Sequence, residues 1–358
     1  MRQRIRKVSR KQVRVSPRDR VFVGCDIHKK SLHVTVLVNK RIAQQTVMPP
    51  TFHALNRLLD PLRPGLQEVA FEAGPTGYSL PRTLQKADYP ALVCAPGKTP
   101  RAPNEDPKCD RRDGAKLAEC AEKGDLKRIV IPTLQEEADR QVVRMREQTG
   151  KKLRRVQQQI KSFMLLHDLS PDTAAANWSK RFVTWLRETA LNPQLRFCLD
   201  ILLREYDFQR EQMKSIESHM AQLGKTERHA EAIRLTMTHP GVGLVTATVF
   251  RGELYNPERF DGPKQVAAYV GLAPDVRDSG QTKGHRPLAP AGRAELRRLL
   301  VQAAWQWVRL DPRANAVFRR LVRNTGCAQK AIIGMARRLA INLWLMTIRH
   351  EAYRTKPA

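Results

Sequence analysis

The 358-residue sequence lacks the cysteine patterns that would indicate a disulfide framework or a zinc module. It has no C-x-x-C pair, and its nine histidines show no spacing typical of metal ligands. Scattered cysteines without a framework are typical of a reducing compartment, so we expect a cytoplasmic protein. The six cysteines are Cys25, Cys94, Cys109, Cys120, Cys198 and Cys327.

Long apolar runs are also missing. The longest, LAINLWLMTI, lies between Arg338 and Arg349 and is shorter than the roughly eighteen residues that a membrane span needs. The basic N-terminus is not followed by an apolar segment, which argues against a secretory signal. We therefore expect no membrane association.

Acidic residues are scarce: 64 Lys and Arg stand against 35 Asp and Glu, which gives a net charge of +29. The first twenty residues account for +8 of this charge and leave +21 on the rest of the chain. Basic charge spread over a whole chain indicates a polyanionic partner, most often nucleic acid. We expect residues 1–20 to form a basic, disordered arm.

Residues 21–132 alternate between strand-like and helix-like segments, which predicts an α/β domain. The runs VFVGCD and LHVTVLVNK predict a β-hairpin, and LQEVAFEA and YPALVCAP predict two further strands. FHALNRLLDPL and TGYSLPRTLQKA predict helices. The proline-rich segment 96–107 predicts a loop that leads into a helix over KCDRRDGAKLAE.

Residues 133–228 predict a helical coiled-coil arm, in which two long helices are joined by a connector near Trp178 and Trp185. A dimerisation seam and a hairpin within one chain explain the pattern about equally well. The apolar repeat consists of Val142, Thr149, Leu153, Val156, Ile160, Phe163 and His167 in the first helix, and Leu199, Leu202, Tyr206, Met213, Ile216, Met220 and Leu223 in the second.

Residues 229–358 predict a mostly α-helical domain with helices from about Arg293, Ala314 and Ala328. The turn in THPGVGLVTATVF lies between two helical patterns. In helix-hairpin-helix modules, glycines like Gly241 and Gly243 let backbone N–H groups approach a DNA phosphate. A plain turn between two helices is an equally good explanation.

Four carboxylates could converge at one edge of the predicted sheet. Asp26 and Glu72 end two strands, and Asp110 and Asp113 lie three residues apart on one helix face. Carboxylate oxygens placed in this way are typical of Mg²⁺ sites for phosphoryl transfer. The alternative is a solvated helix face, salt-bridged to the flanking arginines.

The strings VGCDIHKKSLHVTVL, VAFEAGPTGY and DRRDGAKLAE together resemble the RuvC-like (RNase H-like) Asp-Glu-Asp-Asp domain of IS110-family transposases. The segment from HPGVGLVTATVF to VRDSG, followed by AELRRLLVQAAW, is similar to the second domain of that family. The two blocks come in the family's order with a helical linker between them, and the resemblance covers nearly the whole chain from about residue 20.

The resemblance implies that Asp26, Glu72, Asp110 and Asp113 bind Mg²⁺, with Mn²⁺ as an alternative, and that Ser279 forms a serine–DNA phosphodiester. It implies an oligomeric recombinase, a dimer or tetramer, in which serine and acids from different subunits meet. Its partners would be double-stranded target and donor DNA and a non-coding bridge RNA, in the nucleoid-associated cytoplasm of a prokaryotic cell. The residues expected to contact nucleic acid are Arg111, Arg112, Lys116, Gly241, Gly243, Arg277, Lys283, Arg286 and Arg297.

Three other functions fit the residues. A related DNA invertase would work without a guide RNA, and a RuvC-like junction nuclease would use water in place of Ser279. A non-catalytic nucleic-acid-binding protein would keep the acids as surface salt bridges.

The sequence departs from the family at two places. LAPAGRAELRR stands where relatives commonly carry Lys-Gly-Asn, so only Gly292 and Arg297 of that pattern remain. Gly114 costs its helix about 1 kcal/mol relative to alanine.

Overall fold

The computed structural model describes residues 13–95, 110–171, 178–274, 288 and 292–354, and of Asp110 and Arg111 it describes the backbone only. These residues fall into two compact units, which divide between Ile131 and Pro132. The predicted helical arm and the predicted C-terminal domain both belong to the second unit.

The first unit has the α/β architecture that its alternating pattern predicts. The predicted hairpin, the two further strands and the three helices are all confirmed. Two strands were missed: β3, whose residues are mostly exposed and show no alternation, and β6, which has two residues. The elements are β1 (Val21–Ile27), β2 (Leu32–Val38), β3 (Arg41–Met48), α1 (Phe52–Leu59), β4 (Leu66–Glu72), α2 (Ser79–Lys86), β5 (Ala91–Cys94), α3 (Asp110–Lys123) and β6 (Arg128–Ile129).

The strands of this unit form one mixed sheet in the order β3-β2-β1-β4-β5-β6. β1 pairs antiparallel with β2 and parallel with β4, and β4 pairs parallel with β5. Since β1, β4 and β5 run in one direction, their carboxyl ends lie at the same edge of the sheet. In open α/β sheets this edge is where ligands bind.

The two faces of the sheet are covered by different helices. Val21, Val23 and Cys25 pack on one face with apolar residues of α1 and α2. Phe22 of β1 and Ala70 of β4 pack on the other face, with residues of α3. Because side chains alternate along a strand, even-numbered residues of both strands face α3.

Glycine at two positions lets α3 lie close to the sheet. A Cβ atom at Gly24 would collide with the carbonyl oxygen of Gly114 and would lie 2.6 Å from the amide nitrogen of Ala118. A Cβ atom at Gly114 would lie 3.3 Å from Oγ1 of Thr35, which is closer than most such contacts. The glycine that lowers the helix propensity of α3 therefore also permits its close contact with β1 and β2.

The second unit is α-helical in the parts that the structure describes, apart from an isolated bridge between Pro274 and Leu288. Its helices are α4 (Leu134–Leu166), α5 (Lys180–Glu188), α6 (Pro193–Leu223), α7 (Glu227–Met237), α8 (Leu244–Leu254), α9 (Pro263–Tyr269), α10 (Ala294–Leu310), α11 (Pro312–Thr325) and α12 (Ala328–Arg349). The three helix starts predicted for the C-terminal region agree with α10, α11 and α12 to within about two residues, the usual uncertainty of helix ends.

The helical hairpin predicted as one of two alternatives is confirmed, because α4 and α6 pack against each other. In α4, Val143 and Met164 are buried, whereas the predicted Val142 and Phe163 are half-buried. At both ends of α4 the buried residue therefore lies one position after the residue that the seven-residue repeat predicts.

The hairpin helices contribute to two separate cores. Val156 of α4 and Leu199 of α6 pack with Trp178 and other residues of the connector. Val143 of α4 and Met220 of α6 pack instead with the C-terminal helices. The two helices are therefore part of the C-terminal core at one end and form a small core of their own at the other.

α12 is, among the described residues, the one helix that is long and apolar enough to cross a membrane by length and composition. Half of its most apolar window is buried inside the protein. Leu339 and Leu343 are fully buried against residues of α10, among them Leu300. This is the environment of a core helix.

Candidate active site

Asp26 and Glu72 lie at the carboxyl ends of two neighbouring parallel strands. Cys25 pairs with Phe71 in the register of β1 and β4, so the two acids, one residue further along, end their strands side by side. By strand alternation both belong to the face that α3 covers. The structure thus brings together the two predicted strand-end acids.

α3 carries Asp113 to the same face of the sheet. Asp113 is half-buried and precedes Gly114, whose Cβ position lies 3.5 Å from the carbonyl oxygens of Gly24 and His33. Asp110 begins α3 on the same side of the helix, but its side chain lies outside the described residues. Asp26, Glu72 and Asp113 therefore lie on the same face of the sheet, and the backbone of Asp110 is one turn away from Asp113.

The three acids have few protein partners. Nε2 of His28 lies 3.1 Å from Oδ2 of Asp26, whose side chain is 18% exposed. Within the described residues, the side chains of Glu72 and Asp113 form no hydrogen bond or ion pair. The salt-bridged helix face, which the sequence left open, is therefore not what holds Asp113 in place. His28 was not predicted from the sequence. The signal that could have identified it is the pattern Asp-x-His at the end of a strand.

The donor chemistry of these acids fits a divalent cation. Carboxylate oxygens are hard ligands, and Mg²⁺ commonly binds through one or two carboxylates while substrate phosphate and water complete its shell. In the parts of the chain that the structure describes, no three His, Cys, Asp or Glu side chains form a group that could hold a metal ion. The described acids would therefore hold a cation only together with Asp110, water or phosphate.

Gly241 and Gly243 lie in the turn between α7 and α8 and have different roles. Gly241 has φ +84°, in the left-handed region, and a Cβ atom there would lie 2.8 Å from the amide nitrogen of Trp307 in α10. Gly243 is the exposed N-cap of α8, and no described atom lies within 4 Å of its Cβ position. Among the described residues no side chain caps this end of α8, so its first N–H groups could bind an anion.

Ser279 lies outside the described residues, together with Arg277, Lys283, His285 and Arg286. The described residues on either side of that segment are in contact with each other. Gly292 has φ +80°, and a Cβ atom there would lie 2.7 Å from Cα of Gly271. The described residues before and after this segment therefore lie next to each other in the second unit.

The arginines and lysine predicted to contact nucleic acid have different surroundings. On α3, Arg112 is exposed and Lys116 is half-buried, while the side chain of Arg111 lies outside the described residues. Arg297 of α10 donates a hydrogen bond from Nη1 to the carbonyl oxygen of Gly271 at 3.2 Å. Arg297 thus has a role in the fold, and its contact with nucleic acid stays a prediction.

Two buried carboxylates of the second unit were missed in the sequence. Asp139 accepts hydrogen bonds from Nε and Nη2 of Arg228 at 2.9 and 3.1 Å, and Glu253 accepts two from Arg144 at 3.0 and 3.1 Å. Arg293 also lies 3.3 Å from Glu253. The sequence gives no signal for these pairs because their members are 89 and 109 residues apart.

Burial alone would raise the pKa of Asp139, but hydrogen bonds from Arg228, His229 and Gln135 lower it below its usual value. This carboxylate is therefore ionised and neutralised inside the protein. Together with Glu253, which packs against α4 from α8, it fixes the first half of α4 to α7 and α8. These acids hold the fold together and are separate in role from the strand-end acids.

Two family profiles match this chain. A transposase profile named for the DEDD domain of IS110 elements matches residues 23–168, the segment that contains all four predicted acids. The profile described as the transposase IS116/IS110/IS902 family matches residues 233–319, the segment that contains Ser279.

Several transposases are similar to the chain over most of its length. A putative transposase of Sinorhizobium fredii, y4qE, is 30% identical over 298 residues, which cover 82% of this chain and 73% of the relative. The transposase of insertion sequence IS1533 from Leptospira borgpetersenii is 25% identical over 297 residues, 80% of this chain and 85% of the relative. That of IS1111A from Coxiella burnetii is 21% identical over 253 residues, 69% and 68%. The chain therefore belongs to the IS110 family of insertion-sequence transposases.

Proposed function

We propose that this transposase cuts and rejoins DNA through a covalent serine–DNA intermediate, with Ser279 as the nucleophile. Asp26, Glu72, Asp110 and Asp113 would hold Mg²⁺ or Mn²⁺, and the first unit would be a RuvC-like, RNase H-like domain. The observation that best supports the proposal is the position of Asp26 and Glu72 at the ends of neighbouring parallel strands, with Asp113 on the helix that covers the same face of the sheet.

The charge at this edge supports a cation-dependent site. The carboxylates of this edge would repel the phosphates of DNA, although the chain as a whole carries a net charge of +29. A bound divalent cation would offset that charge, polarise the phosphate oxygens and favour the deprotonated nucleophile. The carboxylates of Asp26, Glu72 and Asp113 would position the cation and leave room for the substrate phosphate.

The role of Ser279 follows from the chemistry of a reversible strand exchange. Its Oγ would bond to phosphorus as the bond between phosphorus and the leaving deoxyribose oxygen breaks. The hydroxyl proton leaves the serine, and the departing oxygen takes up a proton. Since a phosphodiester replaces a phosphodiester, attack by another deoxyribose hydroxyl can rejoin the strand and release the serine. A serine hydroxyl is a weak nucleophile at its ordinary pKa and needs such activation.

The nucleic-acid partners we propose are double-stranded target and donor DNA and a guide RNA, bound by an oligomer. The exposed Arg112 on α3 and the open N-terminus of α8 at Gly243 support backbone contacts with phosphate. The guide RNA, and the dimer or tetramer, rest on the family resemblance.

The proposal is tested with Asp113→Asn and Ser279→Ala in an assay of strand cleavage and protein–DNA adducts on element-end DNA. Asp113→Asn should lower cleavage by about three orders of magnitude, the effect of losing several kcal/mol of transition-state stabilisation, while DNA affinity is kept. Ser279→Ala should abolish the covalent adduct. Glu119→Gln, exposed on the same helix as Asp113, and Ser215→Ala, exposed on α6, are the matched controls.

Unchanged cleavage by Asp113→Asn would overturn the metal site. Cleavage by Ser279→Ala without an adduct would make water the nucleophile. Sequencing of the RNA that co-purifies with the protein tests the guide: one discrete species complementary to junction and target DNA supports it. A heterogeneous mixture would leave the same chemistry acting without RNA, as in an invertase.

A further inference from the structure

α11 has two opposite faces with different chemistry. At 3.6 residues per turn its four arginines fall within an arc of about 120°, on the side opposite its apolar residues. The apolar residues pack on α10 and α12, and all four arginines are exposed. The apolar face consists of Ala314, Val317, Phe318 and Leu321. We call Arg313, Arg319, Arg320 and Arg323 the basic face of α11.

The ends of α11 are well defined, so its basic face sits on a fixed element. Asp311 is the N-cap and accepts hydrogen bonds from the amides of Arg313 and Ala314 at 2.9 and 3.2 Å. Pro312 occupies the first helical position, and Gly326 ends the helix with φ +65° in the left-handed conformation. The side chain of Asp311 also accepts a hydrogen bond from Tyr353 at 2.6 Å.

The basic face is not neutralised by any carboxylate of the described residues. Residues 312–350 contain eight Lys and Arg and no Asp or Glu. Across the residues that the structure describes, no carboxylate forms an ion pair with any of the four arginines. Elsewhere in the same unit arginines are paired: Arg144 with Glu253 and Arg146 with Glu217. Like charges one turn apart, as at Arg319 and Arg323, destabilise a helix, so folding alone does not account for the basic face.

We propose that the basic face of α11 docks the phosphate backbone of double-stranded DNA. Its arginines span ten residues, about 15 Å along the helix, and a strand of B-DNA offers a phosphate every 3.4 Å or so of its axis. A helix lying along the duplex would thus meet about four phosphates. The amide nitrogen of Asn315 is engaged with the carbonyl oxygen of Val308 at 3.2 Å, and we assign the four arginines to phosphate, which carries no sequence information.

This surface adds to the predicted nucleic-acid contacts, none of which lies on α11. It requires only that the chain binds DNA, as a transposase does. It does not depend on a serine intermediate, a metal ion or a guide RNA. A failure here would therefore leave the proposed chemistry standing, and a failure of that chemistry would leave this surface standing.

The test is the salt dependence of binding of the full chain to a duplex unrelated in sequence to any insertion-sequence end. Glutamine at all four positions of the basic face (R313Q, R319Q, R320Q, R323Q) removes the charge and keeps good helix propensity. The slope of log K against log salt should become shallower by about 0.9 for each lost phosphate contact, up to roughly 3.6 for four. Affinity at 0.1 M salt should fall by more than about tenfold.

The matched control removes the same charge from exposed positions of the arm, with R181Q, R204Q, R210Q and K214Q. On α6 these cations alternate with acids, among them Glu205 and Glu211. The control should change the slope by less than about one contact, 0.9. If both variants lose slope equally, the basic charge acts as a diffuse field and the proposal is overturned.

Two further measurements test the proposal if the fourfold variant does not fold, and distinguish DNA from RNA as the ligand. Should the fourfold variant fail to fold, R313Q and R320Q singly are each expected to lower the slope by about 0.9. An unchanged slope in both would overturn the proposal. The same titration with single-stranded RNA distinguishes the polyanions: a slope that drops with RNA and not with duplex DNA would make the basic face an RNA surface and refute the DNA assignment.

Discussion

Two carboxylates of each unit of this transposase lie in opposite surroundings. In the second unit, Asp139 and Glu253 are buried and each is neutralised by arginine. In the first, Glu72 and Asp113 are half-buried and have no ion-pair partner among the described residues, although the chain has 64 Lys and Arg.

The difference separates two uses of negative charge in a basic protein. A buried carboxylate enclosed by arginines gains its stability from those partners and fixes the helices that carry them. A carboxylate that the fold keeps away from arginine retains its charge for a ligand. Asp139 and Glu253 are of the first kind, and we propose that Glu72 and Asp113 are of the second.

The largest effect on stability is expected for Glu253→Gln. The substitution would leave Arg140, Arg144 and Arg293 around a neutral side chain, and an unpaired buried charge costs about 3–5 kcal/mol. The free energy of unfolding, measured by urea denaturation of the full chain, should fall by that amount.

Glu72→Gln is the matched substitution in the first unit. It removes a carboxylate with no described ion pair, so we expect the free energy of unfolding to change by less than about 1 kcal/mol, while strand cleavage is lost. Equal destabilisation by Glu253→Gln and Glu72→Gln would contradict the difference between the two kinds of carboxylate.

Gly24→Ala should have the next largest effect, because its Cβ atom would collide with the backbone of α3. We expect a loss of roughly 3 kcal/mol, the upper end of the usual range for overpacking, and a loss of cleavage because α3 carries Asp113. Thermal unfolding measures the loss of stability, and the cleavage assay measures the loss of activity. In Gly74→Ala the new Cβ atom would lie 3.9 Å from the nearest atom, the carbonyl oxygen of Glu72, so stability should be kept; equal stability of the two variants would contradict the close contact of α3.

The smallest effect on stability is expected from the buried imidazole of His239 in the second unit. Burial lowers the pKa of His239 from 6.5 to about 4. The unfolded chain therefore binds a proton more readily than the folded chain, and stability falls as the pH drops from about 6.5 towards 4. From pH 7 to pH 5 this histidine should cost about 2 kcal/mol. Urea denaturation at both pH values should show a weaker pH dependence for His239→Gln than for the original chain, and identical pH dependence would refute the assignment.

The sequence predicted the parts of the fold that depend on local pattern. β1 and β4 have continuous apolar runs, so their ends, and with them Asp26 and Glu72, could be located. β3 could not, because it is a mostly exposed edge strand without alternation. The role of Gly114 in the contact of α3 with the sheet could not be predicted either, because it depends on Gly24, ninety residues earlier in the chain.

Which charged side chains form ion pairs was the feature of the structure that the sequence predicted least well. Asp113 lies between Arg112 and Lys116 in the chain, yet it forms no ion pair with either. Asp139 lies next to Arg140, yet its partner is Arg228. Neighbours in sequence decide little here, because side-chain direction on a helix and long-range packing determine which charges meet.

The packing of α4 bears on whether the C-terminal region is a module. Val143 and Met220 come from the predicted arm, yet they complete the core formed by α7 to α12. A fragment beginning at residue 229 would lack both side chains, and it would lose the arginines of α4 that neutralise Glu253. We therefore expect the arm and the C-terminal helices to fold as one cooperative unit, and a fragment that begins at residue 229 to be unstable.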